Sequence, residues 1–147
     1  MNFSITIKDT IRINADRETV WNFTQDPSLR SVWDRTVTKC ELQQKRPQKV
    51  LRLKMLGGIL TDLTYKLCRK PIKTSLKLTE TRSWLFKGGG GSWKYHEFDG
   101  HTEWVQTNTL VFRHRLMYWL FSKPIYLILE KMTARSMRDA KKLIENN

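Results

Sequence analysis

The chain opens on alternation. Phe3, Ile5, Ile7, Ile11 and Ile13 fall on one side of an extended segment, and Ser4, Thr6, Lys8, Thr10 and Arg12 fall on the other. That is the period of a strand with one buried face. Asp16 then stands where a helix N-cap would, ahead of Val20, Trp21 and Phe23. Asp26-Pro27 repeats the start signal ahead of Leu29, Val32 and Trp33. Pro27 disfavours helical geometry at Asp26, so the pattern predicts two short helices in tandem rather than one long one.

From Thr36 onward the period returns to two. Cys40 and Leu42 mark a weak strand, and Lys45-Arg46-Pro47-Gln48 turns the chain. Leu51, Leu53 and Met55 alternate with Arg52 and Lys54 until Gly57-Gly58. Leu63, Tyr65 and Leu67 alternate with Thr64 and Lys66 up to Lys70-Pro71, and Ile72, Leu76 and Leu78 alternate with Lys73, Ser75 and Lys77. Residues 84–98 read as a less regular strand, with Gly88-Gly89-Gly90-Gly91 predicting a bulge or break that would loosen a cavity rim. Asp99-Gly100 predicts a two-residue hairpin turn into a strand over 102–112, where Trp104, Leu110 and Phe112 share a face with Gln106 and Asn108.

After His114 the period lengthens. Phe121, Ile125, Ile128, Leu129, Met132, Ala140, Leu143 and Ile144 recur at three and four, predicting a long amphipathic helix with Pro124 at its first turn or at a kink. The expected fold is therefore α+β. A curved antiparallel sheet of about seven strands wraps a long C-terminal helix, with two short helices after the first strand. This helix-grip arrangement is expected to occupy residues 1–147 as one domain.

Composition adds two points. Six Trp and six Phe in 147 residues call for a large aromatic core or a lined cavity. The net charge of +13 is unevenly placed: residues 1–36 balance at five basic and five acidic, residues 37–114 carry fifteen against six, and residues 115–147 carry seven against three. The excess falls on the polar side of the middle strands and on the last helix. It fits an anionic membrane surface, an acidic partner, or simple solvation. Nucleic acid is disfavoured, since the aromatics share parity with the aliphatics and no recognition motif is present. No stretch reaches the length of a membrane span. Met1 to Asn14 lacks the apolar core of a signal peptide. Placement in the cytoplasm is the default expectation, with a position peripheral to a membrane as the alternative. Cys40 and Cys68 lie outside any ligand spacing, so buried thiols rather than a metal site are expected, and no cofactor.

Several features resemble the START-like (SRPBCC) superfamily, and within it the polyketide cyclase/dehydrase and lipid-binding group. They are Ile11-x-Ile13-Asn14-Ala15-Asp16, Val20-Trp21-x-Phe23, Asp26-Pro27 and Trp33-Asp34, the hairpin Asp99-Gly100-His101-Thr102, and the closing helix with Lys141-Lys142-Leu143. The resemblance implies a cavity between sheet and C-terminal helix that takes lipids, polyketides or similar apolar molecules. Some members cyclise or dehydrate such ligands, and many only bind or carry them.

Trp33, Leu53, Tyr65, Leu76, Trp104, Gln106, Asn108, Phe121, Ile125, Leu129 and Met132 are the candidate cavity residues. Gln106 and Asn108 stand out, because amides on an apolar strand face need a wet cavity or a ligand with a polar end. Catalysis is poorly supported. Among His96, His101 and His114 only His96 lies within a strand, Glu80 has inward parity near a strand end, and no nucleophile–base spacing is present. The glycine run fails as a phosphate loop, since Ser92-Trp93-Lys94 continues a strand. Binding or transport of a hydrophobic small molecule is the leading expectation. A cyclase using His96, Asn108 or Glu80 to polarise a carbonyl, and a basic interaction protein with an acidic partner, are the alternatives.

Overall fold

The alternating opening segment is strand β1 (Ser4–Ile13), and Asp16 caps helix α1 (Arg17–Gln25) by accepting a hydrogen bond from the Thr19 amide at 3.3 Å. Asp26 accepts from the Ser28 amide at 2.9 Å, starting a single 3-10 turn (Pro27–Leu29) that runs into helix α2 (Arg30–Trp33). Six strands follow: β2 (Val37–Gln44), β3 (Val50–Met55), β4 (Ile59–Arg69), β5 (Lys73–Arg82), β6 (Phe86–Phe98) and β7 (His101–Phe112). Helix α3 (Arg115–Glu145) closes the chain. The computed structural model describes residues 3–146.

All seven strands form one antiparallel sheet in the order β1-β7-β6-β5-β4-β3-β2. Strands β2 to β7 are a meander in which each strand pairs with its successor, and β1 returns to pair with β7 from Ser4↔Val111 to Ile13↔Thr102. Gly57, Gly58 and Gly100 sit at positive φ in the β3–β4 and β6–β7 turns, a conformation glycine adopts without penalty. The sheet is antiparallel and curved, and α3 lies in its concave side as the alternation requires.

The glycine run does not break β6. The strand is continuous from Phe86 to Phe98, and its one register shift against β7 falls between Phe86 and Gly88. The glycines are there because neighbouring strands come too close for a side chain. A Cβ at Gly89 would lie 2.1 Å from the Thr109 carbonyl oxygen, one at Gly90 would lie 2.8 Å from that of Leu76, and one at Gly91 would lie 2.6 Å from the Asn108 amide oxygen.

The core lies in three groups. Trp33, Trp93, Trp104 and Tyr95 pack with Ile13, Val20 and Trp21 against Met137, Ala140 and Ile144 of α3. Leu51, Leu53, Leu63, Tyr65, Leu76 and Val37 line the opposite flank of the sheet. Ile5, Leu85, Phe86 and Phe112 form a third group, against which Met117, Tyr118, Phe121, Ile125 and Leu129 are only partly buried. Helix α3 is thus held unevenly. Its fully buried residues are Thr133, Ser136, Met137, Ala140 and Ile144, all in its second half. Polar ties reinforce that half: Ser136 Oγ accepts from the Arg35 amide at 2.8 Å, Arg35 pairs with Asp139 at 2.8 Å, and Glu145 accepts from the Asn14 amide at 2.7 Å. The Asn14 amide, more than the adjacent Lys141, holds the Glu145 carboxyl below its ordinary range. Pro124 lies inside the helix in the loosely held half, where its missing N–H leaves the Leu120 carbonyl without its usual partner.

A buried chain of hydrogen bonds joins the first two core groups. Tyr65 Oη donates to Gln25 Oε1 at 2.8 Å, Gln25 Nε2 donates to Tyr95 Oη at 2.8 Å, and Thr24 Oγ1 lies 2.8 Å from the same phenol. Burial pushes the Tyr65 phenol up to about 12 and raises Tyr95 as well.

Two outcomes follow for stability. Gly89→Ala forces a strand apart and lowers unfolding free energy by about 2–3 kcal/mol, whereas Gly88→Ala, whose Cβ meets nothing nearer than 3.9 Å, costs under about 1 kcal/mol in the same urea titration. Equal losses would mean that strand crowding is not the reason for the glycines. Folding also favours the protonated Tyr65 phenol. Its stabilisation is complete below the unfolded phenol's pKa of about 10 and is lost as pH rises toward about 12. The stability gap between wild type and Tyr65→Phe should therefore narrow from pH 9 to pH 12, and parallel curves would contradict the assignment.

Candidate functional site

Because α3 is anchored mainly by its second half, space remains between its middle and the sheet. An inner cavity of about 90 Å³ lies there, bounded by Ile5 and Ile7 of β1, Leu53 and Met55 of β3, Leu63 of β4, Leu76 and Leu78 of β5, Gly90 and Gly91 of β6, and Leu129, Thr133 and Ser136 of α3. The absent side chain at Gly91, on the inward side with Trp93 and Tyr95, contributes to that space. Thr36, Met55, Leu110 and Leu129 also border a second, outer pocket of about 300 Å³. This pocket forms the mouth, walled by the β3–β4 hairpin (Leu56, Gly57, Ile59), the β5–β6 loop (Ser83, Trp84, Leu85) and Ile125, Ile128 and Met132 of α3.

The inner cavity has a polar end. Arg30, Asp34, Gln106 and Asn108 line it together with Trp33. Arg30 opens α2 and Asp34 is its C-cap, one turn on, the spacing at which opposite charges meet on a helix, and Arg30 Nε donates to Asp34 Oδ2 at 2.7 Å with both residues buried. The guanidinium lies 4.6 Å from the centre of the Trp93 ring and 5.4 Å from that of Trp33, within cation–π range. Burial works against its charge, but the Asp34 carboxylate outweighs burial and holds the guanidinium protonated. Nε serves Asp34; the two Nη groups have no hydrogen-bond acceptor among the described residues. Asp34 is occupied, since its Oδ1 accepts from the Thr36 amide at 3.0 Å and the Thr36 hydroxyl at 2.6 Å. Asn108 Oδ1 accepts from Trp93 Nε1 at 3.1 Å, and Asn108 Nδ2 donates to Gln106 Oε1 at 2.9 Å. The two amides therefore largely satisfy each other and the indole, rather than waiting on water or ligand. Gln106 Nε2 remains a donor at the cavity wall.

Of the residues named from the sequence, Trp33, Leu53, Leu76, Gln106, Asn108 and Leu129 border the inner cavity. Ile125 and Met132 border the mouth, which Leu129 joins to the interior. Tyr65 and Trp104 lie in the packed layers behind. Tyr65 is engaged with Gln25, and Trp104 is wedged between Trp33 and Trp93 at ring distances of 5.3 and 5.5 Å. Phe121 packs edge-on against Trp84 at 6.0 Å, beside the mouth rather than in it. Arg30 was not singled out from the sequence, and Asp34 was named only within the Trp33-Asp34 motif, not as a site residue. Their i, i+4 spacing around Trp33 was the available signal, but in a chain with 27 basic residues one more arginine reads as surface.

The proposed acids and bases fall elsewhere. His96 points from the convex side of the sheet and is exposed, because its neighbours Trp93 and Tyr95 take the inward positions. Glu80 loses its inward parity at a β-bulge, where β5 carries an extra residue opposite Leu60–Asp62, and it is exposed at φ 49°. Cys40 is half-buried and burial raises its thiol, while Cys68 is exposed. No group of three or more potential metal ligands occurs among the described residues. What the site offers is a greasy chamber ending in a charged donor. Such an arrangement can grip a polar head or polarise a carbonyl.

Comparison with known proteins agrees with this geometry. No curated protein sequence matches the chain. Solved structures do: the di-domain ARO/CYC BexL from the BE-7585A biosynthetic pathway superposes with a TM-score of 0.75 at 21% identity, over 95% of this chain and 50% of that one. This chain thus spans half the length of that protein. The Zhui aromatase/cyclase from Streptomyces sp. R1128 gives 0.74 at 16% identity over 97% and 94%, and a START superfamily protein from Mycobacterium smegmatis gives 0.68 at 13% over 96% and 94%. At these identities the likeness establishes the fold. The family model described as polyketide cyclase / dehydrase and lipid transport matches residues 4–143. The chain is therefore a member of the polyketide cyclase/dehydrase and lipid transport family, with the START-like helix-grip fold.

Proposed function

We propose that this protein binds or carries an amphiphilic small molecule whose apolar body fills the mouth and whose polar end meets Arg30. The observation that carries this reading is a protonated, buried guanidinium with two unused Nη groups at the closed end of an apolar chamber. Neither Nη is sealed inside the protein: both open onto the chamber, so a ligand acceptor placed there meets a guanidinium that is already largely desolvated and aimed at it. Size supports the same division. About 90 Å³ suits a head group or a short segment, and a lipid-like body needs the 300 Å³ mouth as well. Exchange of such a ligand with an anionic membrane surface is part of this reading, given the charge of +13.

A second reading, cyclase or dehydrase chemistry, is favoured by the same guanidinium, which could polarise a carbonyl or hold an enolate. It lacks a base. The histidines are away from the chamber, and both Asp34 oxygens are engaged. Carrier function is therefore preferred.

Native mass spectrometry of the protein as purified, with extraction of any copurifying molecule, tests occupancy directly; an empty chamber after lipid challenge would refute the carrier reading. With a long-chain fatty acid as probe, Arg30→Met should weaken binding by roughly tenfold to a hundredfold, the value of one charged hydrogen bond. Binding of the alcohol of equal length should change far less. Equal losses for acid and alcohol would remove Arg30 from the head-group role. If a poly-β-ketone is turned over, His96→Ala should leave the rate unchanged and Arg30→Met should abolish it.

A further inference from the structure

The loosely held half of α3 is greasy on its outer side as well as its inner one. Fifteen large hydrophobic residues are exposed among the described residues, and nine of them fall on three short segments: 54–60, 82–87 and 113–129. Those segments meet in space. Leu56, Trp84 and Ile128 border one mouth, Trp84 packs on Phe121, Leu60 pairs with Arg82, and the Arg113 amide donates to the Leu85 carbonyl at 2.8 Å. Trp119 is 72% exposed and Trp84 63%, and Leu116, Leu120 and Leu127 continue the outer stripe along α3. A patch this concentrated marks a docking surface.

Its charge selects the occupant. The three segments carry Lys54, Arg82, Lys87, Arg113, Arg115 and Lys123 and not one acidic residue; Asp62, Glu80 and Glu130 lie just outside them. All six cations are exposed. A second copy seated symmetrically would set these cations against their own counterparts. An anionic bilayer complements them, and its headgroup zone accepts Trp and Tyr rings. Residues 116–129 hold one charge, Lys123, and span about 21 Å as helix, too short to cross a hydrocarbon layer of about 30 Å. Such a segment lies along the interface.

We propose that the mouth end of the molecule, formed by the first half of α3, the β3–β4 hairpin and the β5–β6 loop, docks on anionic lipid bilayers. Docking sets the cavity entrance on the lipid, so a ligand enters or leaves without crossing water. The purpose of docking rests on the carrier reading; the surface itself does not. It also reassigns the membrane contact from the basic convex face of the sheet to the mouth.

Flotation with phosphatidylcholine vesicles, with and without about 30% phosphatidylglycerol, at low and high salt, tests this. Wild type should float with the anionic vesicles, with salt-weakened binding and a blue-shifted tryptophan emission. Trp84→Ser with Trp119→Ser, and separately Arg115→Glu with Lys123→Glu, should each reduce binding roughly tenfold or more. Lys8→Glu with Lys94→Glu, on the convex face, should leave it within about twofold. Absence of binding to anionic vesicles, loss only in the convex-face variant, or undiminished binding by Trp84→Ser with Trp119→Ser would each overturn the proposal. So would a dimer by light scattering that Trp119→Ser dissolves while vesicles go unbound. Native mass spectrometry of the same samples separates the two readings: vesicle binding with an empty chamber sinks the carrier and leaves the docking surface standing.

Discussion

The structure turns on where α3 is held. Thr133, Ser136, Met137, Ala140 and Ile144 are pressed into the sheet and clamped by Arg35, Asn14 and the tryptophan layer, while between residues 115 and 132 no side chain is fully buried. A helix fixed along its whole length would close the groove and make it ordinary core. A helix held mainly at one end leaves a wedge that is narrow and polar-ended inside and wide and apolar outside. The sheet has to curve tightly to offer such a wedge, and the glycines of β6 permit that curvature by letting β5 and β7 approach within distances no Cβ tolerates.

Much of the fold was legible because period-two and period-3.6 patterns are local. Ile5/Ile7/Ile13, Leu51/Leu53 and Leu63/Tyr65 announce buried strand faces, and Asp16, Asp26 and Gly100 sit at the caps and turn their chemistry implies. The glycine run misled for a physical reason: glycine in a strand signals either a break or a close approach, and only the neighbouring strands, distant in sequence, decide between them. Glu80 misled similarly, since one extra residue at the bulge reverses its side of the sheet.

The site was legible only as a face. Parity places Leu53, Leu76, Gln106 and Asn108 toward α3, yet it cannot separate residues that border a void from residues such as Tyr65 and Trp104 that fill their space. Arg30 illustrates the remaining gap. Its meaning comes from burial beneath Trp93 and from Asp34 turning back on it, neither of which composition carries. A charge kept at the closed end of an apolar chamber stabilises the fold little, since burying such a pair costs about as much as it returns. Membership of the polyketide cyclase/dehydrase and lipid transport family fits the chamber.

Hydrogen exchange resolved along α3 tests the uneven anchoring most directly. The ligand-free protein should protect amides of 133–144 at close to the global unfolding free energy and exchange those of 116–129 far faster, with the slow zone extending toward Leu129 and Ile125 once a fatty acid is added. Uniform protection from end to end, unchanged by ligand, would contradict the account.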